Sequence, residues 1–331
     1  MTFLVTGGGG FLGKAIVRRL VERGRAVRTF NRSEYPELET IGVHQARGDL
    51  ADPGAVDAAI QGCAAVFHVA AKAAMWGDRR EFHDTNVRGT RNVIESCRRH
   101  GVRRLVYTST PSVVHAGGDI AGADESLPYP RRYHAHYPRT KAIAERAVLA
   151  ANSDEMSTVA LRPHLIWGPE DTNLVPQIVA RARAGRIRLV GDGSNLVDSV
   201  YIDNAAEAHI LACDHLAPGA PCAGRVYFIT NGEPMAIADL VNGIVGAAGL
   251  PPVRRSLPRW AAWTIGALME AAYTVLPLSG EPVMTRMIAS HLATAHWYDI
   301  SAACRDLGYE PGVSIAEGFR RLADWFDLGV H

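Results

Sequence analysis

Apolar and polar positions alternate in blocks along the first half of the chain. Residues 3–5 read as a short buried strand that runs into glycines, and residues 11–23 as a helix stopped by Gly24. Residues 26–30 form a second apolar run and residues 43–48 a third, followed by a helix from about 53 to 61. Residues 65–70 are another apolar strand, 85–100 a helix closed by Gly101, and 105–109 the next strand. Strands that alternate with helices predict an α/β fold with a parallel, doubly wound sheet, because each crossover helix must cover a sheet face.

The second half is less regular. Residues 137–151, 175–184 and 237–248 read as helices, and 159–167 and 225–230 as strands. Pro- and Gly-rich breaks at 168–173, 191–195, 217–224 and 249–258 mark loops. The expected division is a nucleotide-binding domain over 1–170, its sheet completed by parts of 198–235. Residues 171–197 and 236–331 would make a smaller, interleaved C-terminal substrate lobe. One stretch, 260–278, is apolar on nearly every helical face but carries Glu270 and ends near Pro277. It reads as a lid or tunnel wall, as a core helix, or as a peripheral membrane contact; a membrane span fits it least.

Composition narrows the classes. Of 331 residues, 47% are hydrophobic and 21% charged, with a net charge of +1, which disfavours both disorder and nucleic-acid binding. The five cysteines contain no C-x-x-C pair, so neither a zinc ribbon nor a disulfide framework is expected, and a reducing cytoplasm is the expected compartment. The N-terminus shows no basic n-region or cleavable apolar segment, so no signal peptide is expected.

Gly7-Gly8-Gly9-Gly10-Phe11-Leu12-Gly13 lies between strand and helix and satisfies G-x-x-G-x-x-G through Gly7, Gly10 and Gly13. Glycines there let the backbone approach a pyrophosphate, and the helix N-terminus offers amide donors to it. This strand–turn–helix context predicts a Rossmann-type dinucleotide site. An acid at the end of the second strand would bind the ribose diol of NAD(H). Here Asn31-Arg32-Ser33 stands instead, and Arg32 can pair with a 2′-phosphate while Asn31 and Ser33 donate to it, so NADP(H) is preferred over NAD(H). Asp49-Leu50 would touch the adenine, or Asp49 would cap the following helix.

Tyr137-Pro138-Arg139-Thr140-Lys141 places a phenol and an ammonium one helical turn apart. A neighbouring cation lowers a phenol's pKa, and such a tyrosine can pass a proton to or from a carbonyl oxygen. Thr110, with Ser109 as second choice, presents a hydroxyl at the C-terminal edge of the preceding strand to hold that carbonyl.

The glycine loop, Asp49-Leu50, Ala70-Ala71, Asn86, Thr108-Ser109-Thr110, Tyr137-x-x-x-Lys141 and Leu161-Arg162-Pro163 together resemble the extended short-chain dehydrogenase/reductases, in their 3β-hydroxysteroid dehydrogenase branch. The resemblance spans essentially the whole chain. It implies a cofactor set of Gly7, Gly10, Phe11, Leu12, Gly13, Asn31, Arg32, Ser33, Asp49, Leu50, Ala70, Ala71, Lys72, Asn86, Tyr137, Lys141 and Pro163. It also implies B-face hydride delivery, with Asn86 supporting the active-site helix or a relay water. Residues 161–169, 201–206, 230–234 and 295–298 resemble the 2-alkyl-3-oxoalkanoate reductase family of bacterial olefin and β-lactone biosynthesis. That likeness implies NADPH-dependent reduction of an apolar β-keto acid, a homodimer, and assembly with other enzymes of the pathway. The alternatives are a hydroxysteroid or sterol dehydrogenase, a sugar-nucleotide epimerase or dehydratase, and a dinucleotide-sensing regulator that needs no Tyr-Lys pair. Lys72, Met75 and Trp76 are expected to line the site. His115, His134 and His136 are read as solvated or substrate-contacting, with no metal, since no third ligand stands at sensible spacing.

Overall fold

A computed structural model describes residues 1–74, 76–276, 278 and 280–329. Seven parallel strands make the central sheet, in the spatial order Arg225–Ile229, Ser157–Pro163, Arg104–Thr108, Cys63–His68, Thr2–Thr6, Ala26–Asn31, His44–Arg47. The order reverses between Thr2–Thr6 and Cys63–His68, and ligands of open α/β sheets bind beyond the strand ends at such a switch point.

The inner strands are largely apolar because both faces are covered, whereas the edge strand His44–Arg47 is polar and not buried. Side chains alternate along a strand. Phe3 and Val5 thus enter one core, with the helices Phe11–Glu22 and Ile202–His215. Leu4 enters the other, with Pro53–Ile60, Gly89–Arg99 and His136–Ala150. Glycines permit two close approaches. A Cβ on Gly13 would stand 2.1 Å from the Gly7 carbonyl oxygen, and one on Gly89 would stand 2.7 Å from Leu50 Cβ.

Several expected elements take a different form. The helix expected over 85–100 begins as a π-helical turn, His83–Arg88, and continues as Gly89–Arg99. The strand expected over 159–167 breaks after Pro163. Leu165 adopts a left-handed backbone (φ 43), and Ile166–Trp167 instead pairs with Val200–Tyr201. The sequence pattern did not predict the helices Ile202–His215, Arg286–Ala293, Ser301–Leu307 and Ile315–Asp327, nor the short turns Pro36–Glu39 and Arg79–Phe82. The apolar stretch forms the helix Arg259–Val275, but only Ala262 and Gly266 along it are buried, while Trp260 is 74% and Leu268 66% exposed. This excludes an ordinary core helix. Among the described residues no helix is long and apolar enough to cross a membrane.

A second, four-stranded sheet joins Met235–Ala236, Leu196–Val197, His296–Tyr298 and Ile120–Ala123. The last comes from the first half of the chain and pairs parallel with His296–Tyr298. That pairing fastens the loop after the fifth strand to the C-terminal segments.

Candidate active site

The glycine loop sits at the switch point. Gly7 has φ 70, and a Cβ there would meet Ala70 Cα at 2.9 Å, so Ala70 backs the loop directly. Gly10 precedes the helix Phe11–Glu22 and carries no side chain to cap it. The first-turn amides of Phe11, Leu12 and Gly13 therefore face the loop without an intrahelical acceptor. Asn31 is buried and accepts from the Gly9 N–H (3.1 Å), so its amide oxygen shapes the loop. Its Nδ2 is buried with no hydrogen-bond partner among the described residues. Arg32 and Ser33 are exposed at the strand end. Asp49 accepts from Ala51 N–H (2.8 Å), and Asp52 is the residue that caps the following helix. Leu50 is buried against Gly89.

Asn86 ties the two halves of the site together. Its Oδ1 accepts from Lys72 N–H (2.8 Å), and its Nδ2 donates to the Lys72 carbonyl (3.1 Å) and to Thr140 Oγ1 (3.1 Å) on the active-site helix His136–Ala150. The Lys72 ammonium pairs with Glu81 and lies over the Phe82 ring. Ala71 is half-buried beside it. Met75 lies outside the described residues. Trp76 meets the Tyr273 ring edge-on at 6.4 Å, which connects this loop to the exposed apolar helix.

The expected pair lies on one helix, with Tyr137 half-buried and Lys141 buried. Their electrostatics differ from the expectation. The Lys141 ammonium donates to the Thr108 carbonyl (2.5 Å) and stands 4.2 Å above the Tyr107 ring. Burial lowers its pKa to about 7, while Glu145, one turn further on, pulls it back up. The Tyr137 phenol is pushed up, not down, because burial outweighs its hydrogen bond with Thr110. A phenol in that state remains protonated near neutral pH and can donate to a carbonyl oxygen.

Thr110 Oγ1 also donates to Ser112 Oγ (3.3 Å), whereas Ser109 Oγ is buried without a partner among the described residues. Of the two hydroxyls, it is thus Thr110 that bonds with Tyr137. Pro163 is buried at the sheet end, in register with Ile229.

A buried ion pair holds the active-site helix to the sheet. Arg162 Nε and Nη2 donate to Glu145 Oε2 and Oε1 (3.0 and 2.7 Å), and Tyr129 OH donates to Glu145 Oε1 (2.6 Å). A cavity of about 270 Å³ opens beside Pro138, walled by Ser112 and His115, by Trp263 and Glu270 from the exposed helix, and by Arg286 and His291 from the helix Arg286–Ala293. His134 and His136 are exposed. Among the described residues no three His, Cys, Asp or Glu side chains converge as a metal site. Ser112, His291, Arg286, Glu145 and the partner role of Arg162 were not foreseen as site features. Only Arg162 lies in a motif, Leu161-Arg162-Pro163, and that motif does not name its partner; the others are brought in by contacts between distant segments.

The uncapped helix end, the glycine cradle and the unpartnered amide of Asn31 fit a dinucleotide. With the Thr110–Tyr137–Lys141 edge, they define an NAD(P)-dependent oxidoreductase acting on an alcohol or a carbonyl. Within that class the chain belongs to the 3-beta hydroxysteroid dehydrogenase/isomerase family, whose sequence profile matches residues 4–259. It is 57% identical over 325 residues to a 2-alkyl-3-oxoalkanoate reductase of Stenotrophomonas maltophilia, covering 97% of this chain and 98% of that one. It is 50% identical to a protein of the same description from Shewanella oneidensis, over 96% and 84% of the two chains. A mouse sterol-4-alpha-carboxylate 3-dehydrogenase, decarboxylating, is 34% identical over 97% and 90%. Among solved structures, gox2253 superposes with a TM-score of 0.80 at 26% identity (99% and 98% covered). The Thermus thermophilus UDP-glucose 4-epimerase, solved with NAD, gives 0.75 at 26% identity with both chains fully covered.

Proposed function

We propose that this protein reduces the 3-keto group of a 2-alkyl-3-oxoalkanoate to the 2-alkyl-3-hydroxyalkanoate, with NADPH as reductant. The observation that carries this reading is the 57% and 50% identity, over nearly the whole chain, to reductases of that description. Bound nicotinamide would supply the hydride to C3. The chain's own part is then to orient and to protonate. Thr110 and Tyr137 hold the carbonyl oxygen, Tyr137 gives it the proton, and Lys141 would hold the nicotinamide ribose. Pro163 would flank the nicotinamide. Residues 1–170 with parts of 198–235 would bind the dinucleotide, and 171–197 with 236–331 the substrate. The test is NADPH oxidation with a panel of 2-alkyl-3-oxo acids and 3-ketosteroids, alongside Tyr137→Phe. Turnover confined to the steroids would favour the sterol dehydrogenase reading that the family profile and the mouse relative support. Tight NADPH binding with no turnover of either would favour a sensor.

The NADP(H) preference rests on exposed Arg32 and Ser33 where an acid would otherwise select NAD(H). Outside the site, Trp260, Trp263 and Leu268 present an exposed apolar face beside exposed Arg254, Arg255 and Arg259. That combination fits peripheral contact with an anionic lipid surface, which sedimentation with anionic against neutral vesicles would test. The family likeness also supports a homodimer, to be read by sedimentation velocity.

A further inference from the structure

We propose that the carboxylate of the substrate is recognised by Ser112 together with His115, one of a cluster of four histidine rings that also includes His164, His291 and His296. The inference rests on the reading that the substrate is a 3-oxo acid, and it supplies the anion-binding residues that the cofactor motifs leave open.

Geometry comes first. In a 3-oxo acid the keto oxygen and a carboxylate oxygen lie in a 1,3 relationship, about 3 Å apart, roughly one hydrogen-bond length. The hydroxyl oxygens of Thr110 and Ser112 are 3.3 Å apart. A keto oxygen held at Thr110 and Tyr137 therefore brings the carboxylate onto Ser112 and the cavity wall behind it. His115 and His291 form that wall, with ring centroids 4.2 Å apart. His296 lies 5.7 Å from His291 and 6.2 Å from His115, and His164, just beyond Pro163, lies 4.8 Å from His296. Three segments, far apart in sequence, converge to build the cluster, His291 and His296 coming from one of them.

The rings have hydrogen-bonding capacity in reserve. Gly117 N–H donates to His115 Nδ1 (3.2 Å), so the proton of the neutral ring sits on Nε2. That Nε2 is buried and has no partner among the described residues, whereas His296 Nε2 donates to the His291 carbonyl (2.8 Å), which leaves the buried Nδ1 of His296 a lone pair with no proton to offer. A buried donor without a partner pays desolvation in full, and an incoming anion would relieve it at His115. Burial drives the pKa of His115 to about 4 and lowers the other three, with the rings depressing one another. The cluster is therefore uncharged at neutral pH, and His115 offers its N–H without a strong field. Arg286, on the same helix as His291, is partly neutralised: its Nε and backbone N–H both donate to Glu270 (2.6 and 2.8 Å).

The test runs the reaction in the oxidative direction, with NADP⁺ and a 2-alkyl-3-hydroxyalkanoate or its methyl ester, because the hydroxy acid is stable in solution. The readout is the acid-to-ester ratio of kcat/KM. His115→Leu and Ser112→Ala should each lower that ratio by at least about tenfold. His115→Gln, which returns a donor close to Nε2, should restore part of it. NADP⁺ affinity and Tm report folding in each variant; if His115→Leu does not fold, Ser112→Ala and His291→Gln carry the comparison. A ratio that stays within about twofold in the folded variants, or that collapses only in Arg286→Ala, overturns the proposal. Failure of the wild-type protein to turn over either acid or ester would instead overturn the functional reading beneath it.

Discussion

Glu145 is the residue whose loss should be felt most widely. Its side chain is fully buried, that of Arg162 is 2% exposed, and the two share a bidentate pair that also takes the Tyr129 hydroxyl. Glu145→Leu would leave a buried guanidinium and a phenol unpaired; one Arg162 nitrogen, Nη1, is already buried without a partner among the described residues. Breaking a buried pair from one side costs about 3–5 kcal/mol, against total stabilities of roughly 5–15 kcal/mol. At about 2–4 °C per kcal/mol, Tm should fall by roughly 10 °C. Guanidinium titration followed by tryptophan fluorescence measures the loss. The double variant Glu145→Leu/Arg162→Met removes both charges and should recover at least half of it, because most of the cost is the orphaned charge and not the absent contact. A single variant within about 1 kcal/mol of wild type, or a double variant no better than the single, would refute this account of how the active-site helix is held. The site should respond too. Without Glu145, the burial of Lys141 is offset less, so its pKa should drop further below about 7.

Other perturbations probe the site directly. Tyr137→Phe should cut kcat by about 10²–10⁴ while NADPH still quenches fluorescence on binding; a loss under about tenfold would remove the phenol as proton donor. Arg32→Asp should lower the NADPH-to-NADH ratio of kcat/KM by at least about tenfold, and an unchanged ratio would refute the 2′-phosphate assignment. Gly13→Ala, whose Cβ would sit 2.1 Å from the Gly7 carbonyl oxygen, should abolish measurable NADPH binding; binding that survives would mean the loop tolerates a shift. Lys141 carries a pH signature. Its folded pKa of about 7 lies below the ordinary 10.5. The unfolded chain therefore holds the extra proton between those values, and stability should rise with pH across that window. Lys141→Met should flatten that part of the slope in matched denaturation series, and parallel slopes would contradict the shift. Trp263→Ala should weaken long-chain substrates more than short ones, measured as KM across chain lengths, because Trp263 walls the cavity.

The two halves of this site differ in how far they can be read from sequence, and the reason is physical. The cofactor half is local. A glycine loop between a strand and a helix, a strand end at Asn31 and a Tyr-Lys pair one turn apart are each set by backbone geometry within a few residues. Their placement follows once the strands alternate with helices. Even there, the protonation balance was not legible. Whether Lys141 faces the phenol or the Thr108 carbonyl depends on burial and on Glu145, not on spacing. The substrate half is non-local. His115 and His291 touch because Ile120–Ala123, far upstream, pairs beside His296–Tyr298. A lone histidine in any of those segments carries no sign of the other three. The exposed helix Arg259–Val275 misleads for a related reason. Its apolar faces suggest burial, yet among the described residues the protein covers only a narrow strip of it and uses Trp263 and Glu270 as cavity wall. Cofactor binding is thus written into short motifs, whereas substrate choice is written into contacts between segments. Swaps of the C-terminal lobe among relatives should therefore move substrate preference while leaving dinucleotide affinity near its parent value.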